Sequence, residues 1–177
     1  MFVWCAAVLI ASTGFLTELP EPIRAKLTST NETHGSFVMN KILPDGRALE
    51  STGVYAIRPG KDFTWTTLEP FDSVFRATLE TYCYSNEDEC VTKPLKDLKG
   101  VASFADAAKG DFSAFFKAFD ARYMEDASGA FHVLAKPKDS RLQRVLTRVE
   151  ADGCLTNWTL LATFPDQTKF KVEFKDN

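Results

Sequence analysis

The end of the chain sets the terms for everything before it. Lys169-Phe-Lys-Val-Glu-Phe-Lys175 alternates charged and apolar side chains without a break. Neighbouring side chains on a β-strand point to opposite faces. Phe170, Val172 and Phe174 therefore share one face, and Lys171, Glu173 and Lys175 the other. Such a strand belongs to an antiparallel sheet with one wet face and one dry face, and the dry face has to be covered. Runs rich in β-branched and aromatic residues recur at 36–43, 49–57, 62–67, 74–84, 130–135, 142–150 and 155–164. Pro44-Asp-Gly46, Arg58-Pro-Gly60 and Asp152-Gly153 are turn signals between them. The runs on each side of the middle are joined by turns without a long helix, which predicts antiparallel pairing.

The middle of the chain departs from this pattern. Between Val101 and Tyr123 the period becomes helical, and Phe112, Phe115, Phe116 and Phe119 recur at i, i+3, i+4 and i+7, on one helix face. Phe104 and Ala108 extend the stripe, and Gly110 divides the segment into two helices. A stripe of this kind packs into a core more often than it lines a binding surface. A helix lying over a dry sheet serves as both. Fifteen Phe in 177 residues is a large number for one domain, so either the core is aromatic or an apolar surface is lined with rings. The net charge of −3 and the lack of any Lys/Arg block argue against nucleic acid and anionic membranes as main partners.

Residues 1–17 carry no charge and are too short to span a bilayer comfortably. They read as a secretory leader, with Ala11 to Gly14 near a cleavage site, although the usual positive start is missing. A buried first strand or helix is the alternative. On the leader reading, 18–177 is a single exported domain. Four cysteines occur. Cys83 and Cys90 bracket an acidic turn, and with Asn86-Glu87 at the tip they face each other at disulfide-compatible distance. Two separate thiols are the alternative. An exported chain favours the bridge, which leaves Cys154 as a lone thiol. Zinc ligation does not fit the spacing, since His34 and His132 are remote in sequence. No phosphate-binding loop or nucleophile elbow is present. His34 near Glu32 and His132 near Asp126 are sequence neighbours only, so no catalytic residue, metal or cofactor is assigned. Two N-x-[ST] triplets begin at Asn31 and Asn157 and matter only in a eukaryotic secretory path.

The ordered set Thr33-His-Gly-Ser-Phe-Val-Met-Asn-Lys-Ile42, Asp45-Gly46, Gly53-Val-Tyr-Ala-Ile-Arg-Pro59 and Phe63-Thr-Trp65 resembles the opening strands of the outer-membrane lipoprotein carrier family (LolA-like). The resemblance covers about thirty residues by motif and the rest by layout. The first helix is reduced by Pro20 and Pro22, and the Cys83–Cys90 hairpin is foreign to the family pattern, so the chain looks like a divergent member. The resemblance implies an α+β fold: a strongly curved antiparallel sheet, or half-barrel, with helices covering its concave apolar face. It implies a non-enzymatic periplasmic carrier or chaperone. Such a protein holds acyl chains of a lipoprotein or another lipid in an apolar cavity and passes them toward the outer membrane. Transient membrane-bound donor and acceptor proteins would be its partners, and the protein itself a monomer. The expected lining is Phe37, Met39, Trp65 and Trp158 on the sheet, facing Phe112, Phe115, Phe116 and Phe119 on the helices. In the family, the arginine of the Arg-Pro motif holds the helical lid shut, which assigns that role to Arg58. The alternative is an enzyme, or an enzyme partner, acting on an apolar small molecule from the same fold.

Overall fold

The computed structural model describes residues 21, 32–58, 61–85, 90–95, 113–154 and 156–177. The leader reading of 1–17 and the first half of the helical stretch lie outside these residues. Eleven strands form one antiparallel sheet in the order β6-β5-β4-β3-β2-β1-β11-β10-β9-β8-β7. They are β1 (Thr33–Ile42), β2 (Ala48–Arg58), β3 (Asp62–Glu69), β4 (Ser73–Thr78), β5 (Thr81–Ser85), β6 (Val91–Pro94), β7 (Phe119–Glu125), β8 (Phe131–Pro137), β9 (Arg148–Cys154), β10 (Asn157–Thr163) and β11 (Lys169–Asp176). Two helices of defined extent accompany them, α1 (Ser113–Ala118) and α2 (Ser140–Gln143), and Glu21 is also helical. Sequential strands pair within β1–β6 and within β7–β11, β6 and β7 form the two edges, and β1 joins the halves by pairing with both β2 and β11.

This arrangement corrects the α+β expectation. The sheet is present, but the described helices span barely more than one turn each and do not cover its face. The helical reading fails in part because Phe119 opens β7 instead of ending a helix. The run Phe119-Asp-Ala-Arg-Tyr-Met-Glu125 fits a period of two as well as its first residue fits the helical stripe, and pairing with β8 decides it. Asp126 shapes the return: its Oδ1 accepts from the Ser128 amide and hydroxyl and from the Ala130 amide. The run 74–84 is two strands, because Thr78 Oγ1 accepts from the amides of Glu80 and Thr81 and turns the chain there. Residues 142–147, expected in a strand, instead complete α2 and the turn after it. Asp139 caps α2 by accepting from the amides of Arg141 and Leu142.

The register divides the side chains cleanly. Across β1, Phe37 lies opposite Gly53 of β2 and Phe174 of β11, and the same row continues to Trp158 of β10, Gly153 of β9 and Phe131 of β8. The neighbouring row carries Val172, Leu160, Ala151, Val133 and Tyr123. On the other side of the sheet, ion pairs replace rings, among them Arg58–Asp62 at 2.6 Å and Arg148–Glu150 at 2.9 Å, and His132 Nδ1 meets Asp152 Oδ1. The β1–β2, β3–β4, β5–β6 and β10–β11 connections all fall at one end of the sheet, called here the upper end. Among the described residues, no helix is long and apolar enough to cross a membrane.

Candidate functional site

The apolar face is the candidate site, and its shape follows from its rings. In a flat sheet, neighbouring strands lie about 4.8 Å apart, so β1 and β3 would hold their side chains about 10 Å apart and β11 and β3 about 14 Å. Yet Phe37 stacks on Trp65 with centroids 3.7 Å apart, and Trp65 meets Phe174 edge-on at 5.9 Å. Side chains that converge over two and three strands come from a face that curls toward them. The apolar side is therefore the concave side of a half-barrel.

Two glycines permit the convergence. A Cβ on Gly53 would sit 2.6 Å from Phe37 Cζ, and one on Gly35 would sit 2.6 Å from Tyr55 Cζ. With no side chain at either position, Phe37 lies over β2 to reach Trp65. Tyr55 lies over β1, where its phenol donates to Asp176 Oδ1. Burial, then the hydrogen bond and the charge of Asp176, push the Tyr55 phenol well above its ordinary value.

The core under this face is Phe37, Tyr55 and Val172, with Met39, Ile57, Phe63, Trp65, Leu160 and Phe174 packed on it. Trp158 stacks on Phe174 at 4.2 Å, so Phe37, Met39, Trp65 and Trp158 belong to one connected surface. Phe116 is brought elsewhere. It joins Phe119, Ala121 and Ala135 in a second cluster toward the β7 edge. Phe112 lies outside the described residues. Phe115 sits in α1, but its side chain is not among those described. Sequence reasoning passed over Tyr55, Phe63, Phe75, Tyr82 and Leu160, all on the same face by register. The alternation of Gly53, Tyr55 and Ile57 in β2 is the signal that would have found the first of them. Beside the Trp158–Phe174 pair a groove of about 710 Å³ opens at the lower end of the sheet, next to Gly153 and Asn157. It lies at the sheet's edge and not between a helix and the sheet.

Arg58 is on the opposite, polar face. Its Nε and one terminal nitrogen donate to the two oxygens of Asp62 at 2.6 and 2.7 Å, and Glu32 is 3.9 Å away. Arg76 donates to the same carboxylate at 2.6 Å. Burial alone would raise the Asp62 carboxyl, but hydrogen bonds and charge from Arg58 and Arg76 outweigh it and hold the group below the usual carboxylate range. Cys83 and Cys90 form a disulfide with Cα atoms 5.6 Å apart. The hairpin is registered differently from the sequence reading: Cys83 faces Thr92, so the bridge runs diagonally across β5 and β6. Cys154 is free and exposed. His132 pairs with Asp152 through Nδ1, not with Asp126. Among the described residues, no three His, Cys, Asp or Glu side chains gather as a metal site.

No family model matches the chain, and no curated protein does. Among solved structures, the chain is similar to a LolA superfamily protein from Nitrosomonas europaea. The identity is 8%, with 87% of this chain and 89% of that one covered, at a TM-score of 0.45. It is also similar to a putative outer membrane lipoprotein-sorting protein domain from Vibrio parahaemolyticus, at 11% identity and 88% of each chain, with a TM-score of 0.40. Scores and identities this low leave the fold to be argued from the strand order and the ring geometry given above.

Proposed function

We propose that this protein is a carrier that holds an acyl chain or a similarly apolar molecule against the concave face of its sheet. The observation that carries the reading is the face itself. It is an apolar face linked ring to ring from Trp158 of β10 through Phe174, Trp65, Phe63 and Phe75 to Tyr82 of β5, curled inward, with several of the rings only half-buried. A soluble domain seldom leaves such a surface without an occupant. The Arg58–Asp62 ion pair and the His132–Asp152 contact stand on the other side of the sheet, which supports binding without chemistry on the cargo. Lipoprotein acyl chains are the cargo that the sequence resemblance implies. Transfer between membrane-bound partners in the periplasm is the setting. The Cys83–Cys90 disulfide suits an oxidising compartment. Arg58 keeps the lid-locking assignment as part of this proposal, with the condition that its fork already grips Asp62.

The test uses the two tryptophans of the face. A brominated fatty acid bound there quenches Trp65 and Trp158, and lipid that co-purifies identifies the natural cargo by mass spectrometry. Phe75→Asn, on the half-buried part of the face, should weaken quenching while the circular dichroism of the sheet stays unchanged. Absence of both co-purified lipid and quenching would remove the carrier reading.

A further inference from the structure

Six of the nine large apolar side chains exposed among the described residues gather in one place, while Val54, Met124 and Val145 lie elsewhere. Leu49, Leu68, Phe71, Val74, Tyr84 and Val91 are each at least 37% exposed, and Phe71 reaches 82%. All six lie at the upper ends of β2 to β6 or in the turn between β3 and β4. These five strands are consecutive neighbours, so the six residues line one rim about 19 Å long. The opposite end of the same strands carries Arg58, Lys61, Asp62 and Glu80. By register, Leu49, Tyr84 and Val91 fall on the apolar face and Val74 on the polar one, so the rim runs along the upper edge of the sheet and takes in that end of the apolar face. Within the face, Tyr55 and Tyr123 donate to Asp176 and Glu125.

We propose that this rim is a contact surface for a zwitterionic lipid bilayer, entered first by Phe71 at the β3–β4 turn. The residues are strung along strand ends and one turn, and they belong to both faces of the sheet. A folded protein partner needs a contiguous, shape-matched patch, whereas a fluid interface accepts isolated apolar points. An aromatic ring at a turn tip suits the headgroup boundary. Charge selects the kind of bilayer. Asp45 and Arg47 pair with each other, and Glu50, Glu69 and Asp72 leave the rim acidic. An anionic surface therefore repels it, and added salt relieves that repulsion. The contact does not depend on the concave face holding a cargo, although it would place the open edge of that face against a membrane.

Co-sedimentation of the full chain with vesicles of phosphatidylcholine and phosphatidylethanolamine tests this, with bromo-fatty-acid quenching measured in parallel without vesicles. The wild type should sediment with the zwitterionic vesicles. Replacing half of the lipid with phosphatidylglycerol should reduce the bound fraction at low salt. Phe71→Asp and Leu68→Asp should each lower partitioning roughly tenfold or more, while Phe71→Trp retains it. Neither aspartate variant should change quenching in solution, because neither residue is in the ring-lined core. Wild type that stays in the supernatant, or aspartate variants that sediment as it does, would overturn the rim proposal and leave the carrier reading standing. Vesicle binding intact with no fatty-acid quenching would overturn the carrier reading alone.

Discussion

At the scale of single residues, the concave face depends on small gaps and on one buried phenol. Tyr55 crosses β1 only because position 35 is glycine, and its hydroxyl ends on Asp176. The phenol is kept neutral by burial and by the neighbouring carboxylate, so its folded value is raised above the ordinary tyrosine value. A raised value means that the associated stability is fully present below about pH 10, where the unfolded chain also holds its proton. It is lost as pH rises toward the folded value. Tyr55→Phe should cost about 1 kcal/mol at neutral pH by removing the donor. Urea melts repeated near pH 11 should show a shallower alkaline loss than the wild type, with a remainder from Tyr123, whose phenol is also pushed up. An alkaline loss identical to that of the wild type would show that Tyr55 is not the group responsible.

At the scale of elements, β11 is the clearest case of pattern becoming structure. Its alternation is visible as written, and the register turns it into a buried Val172 beside an exposed Glu173. Val172→Asp would place a carboxylate in the Phe37–Tyr55 core with no partner, a loss on the order of 4 kcal/mol or more. Glu173→Ala should stay within about 0.5 kcal/mol, since its partner Lys171 is an exposed neighbour. Equal denaturation midpoints for the two variants would mean that the strand does not present these faces. Most strands were legible in this way, because alternation and turn residues act locally. The elements that were misread are those decided at a distance. Phe116 and Phe119 satisfy the helical spacing equally well, but Phe119 is claimed by Pro137 of β8, eighteen residues on. The bridge between Cys83 and Cys90 was legible from the turn they flank. Its diagonal geometry was not, because a shift of two residues at the hairpin tip leaves no mark in composition.

At the scale of the whole molecule, the open sheet raises the question of what its curvature is for. Its two edges are protected without closure: β6 is four residues long, contains Lys93 and Pro94 and is pinned by the disulfide, and β7 carries Asp120, Arg122 and Glu125. The edges therefore do not invite a second sheet to pair. Burying one methylene contributes ~0.8 kcal/mol, which is about a fourfold change in affinity. If the acyl chain lies along the ring-lined face, affinity in a series of saturated fatty acids should rise about fourfold per added carbon. The rise should stop at the longest chain that the ring-lined face can hold. Because the driving force is apolar burial, moderate salt should leave the slope unchanged. Tryptophan quenching by the brominated series, at low and moderate salt, measures both. A slope near zero, or one that collapses with salt, would place recognition in the charged face and not in the concave one. A slope that continues past the longest chain the face holds would mean that the tail leaves the protein at the upper rim, where Leu49, Tyr84 and Val91 continue the apolar surface outward.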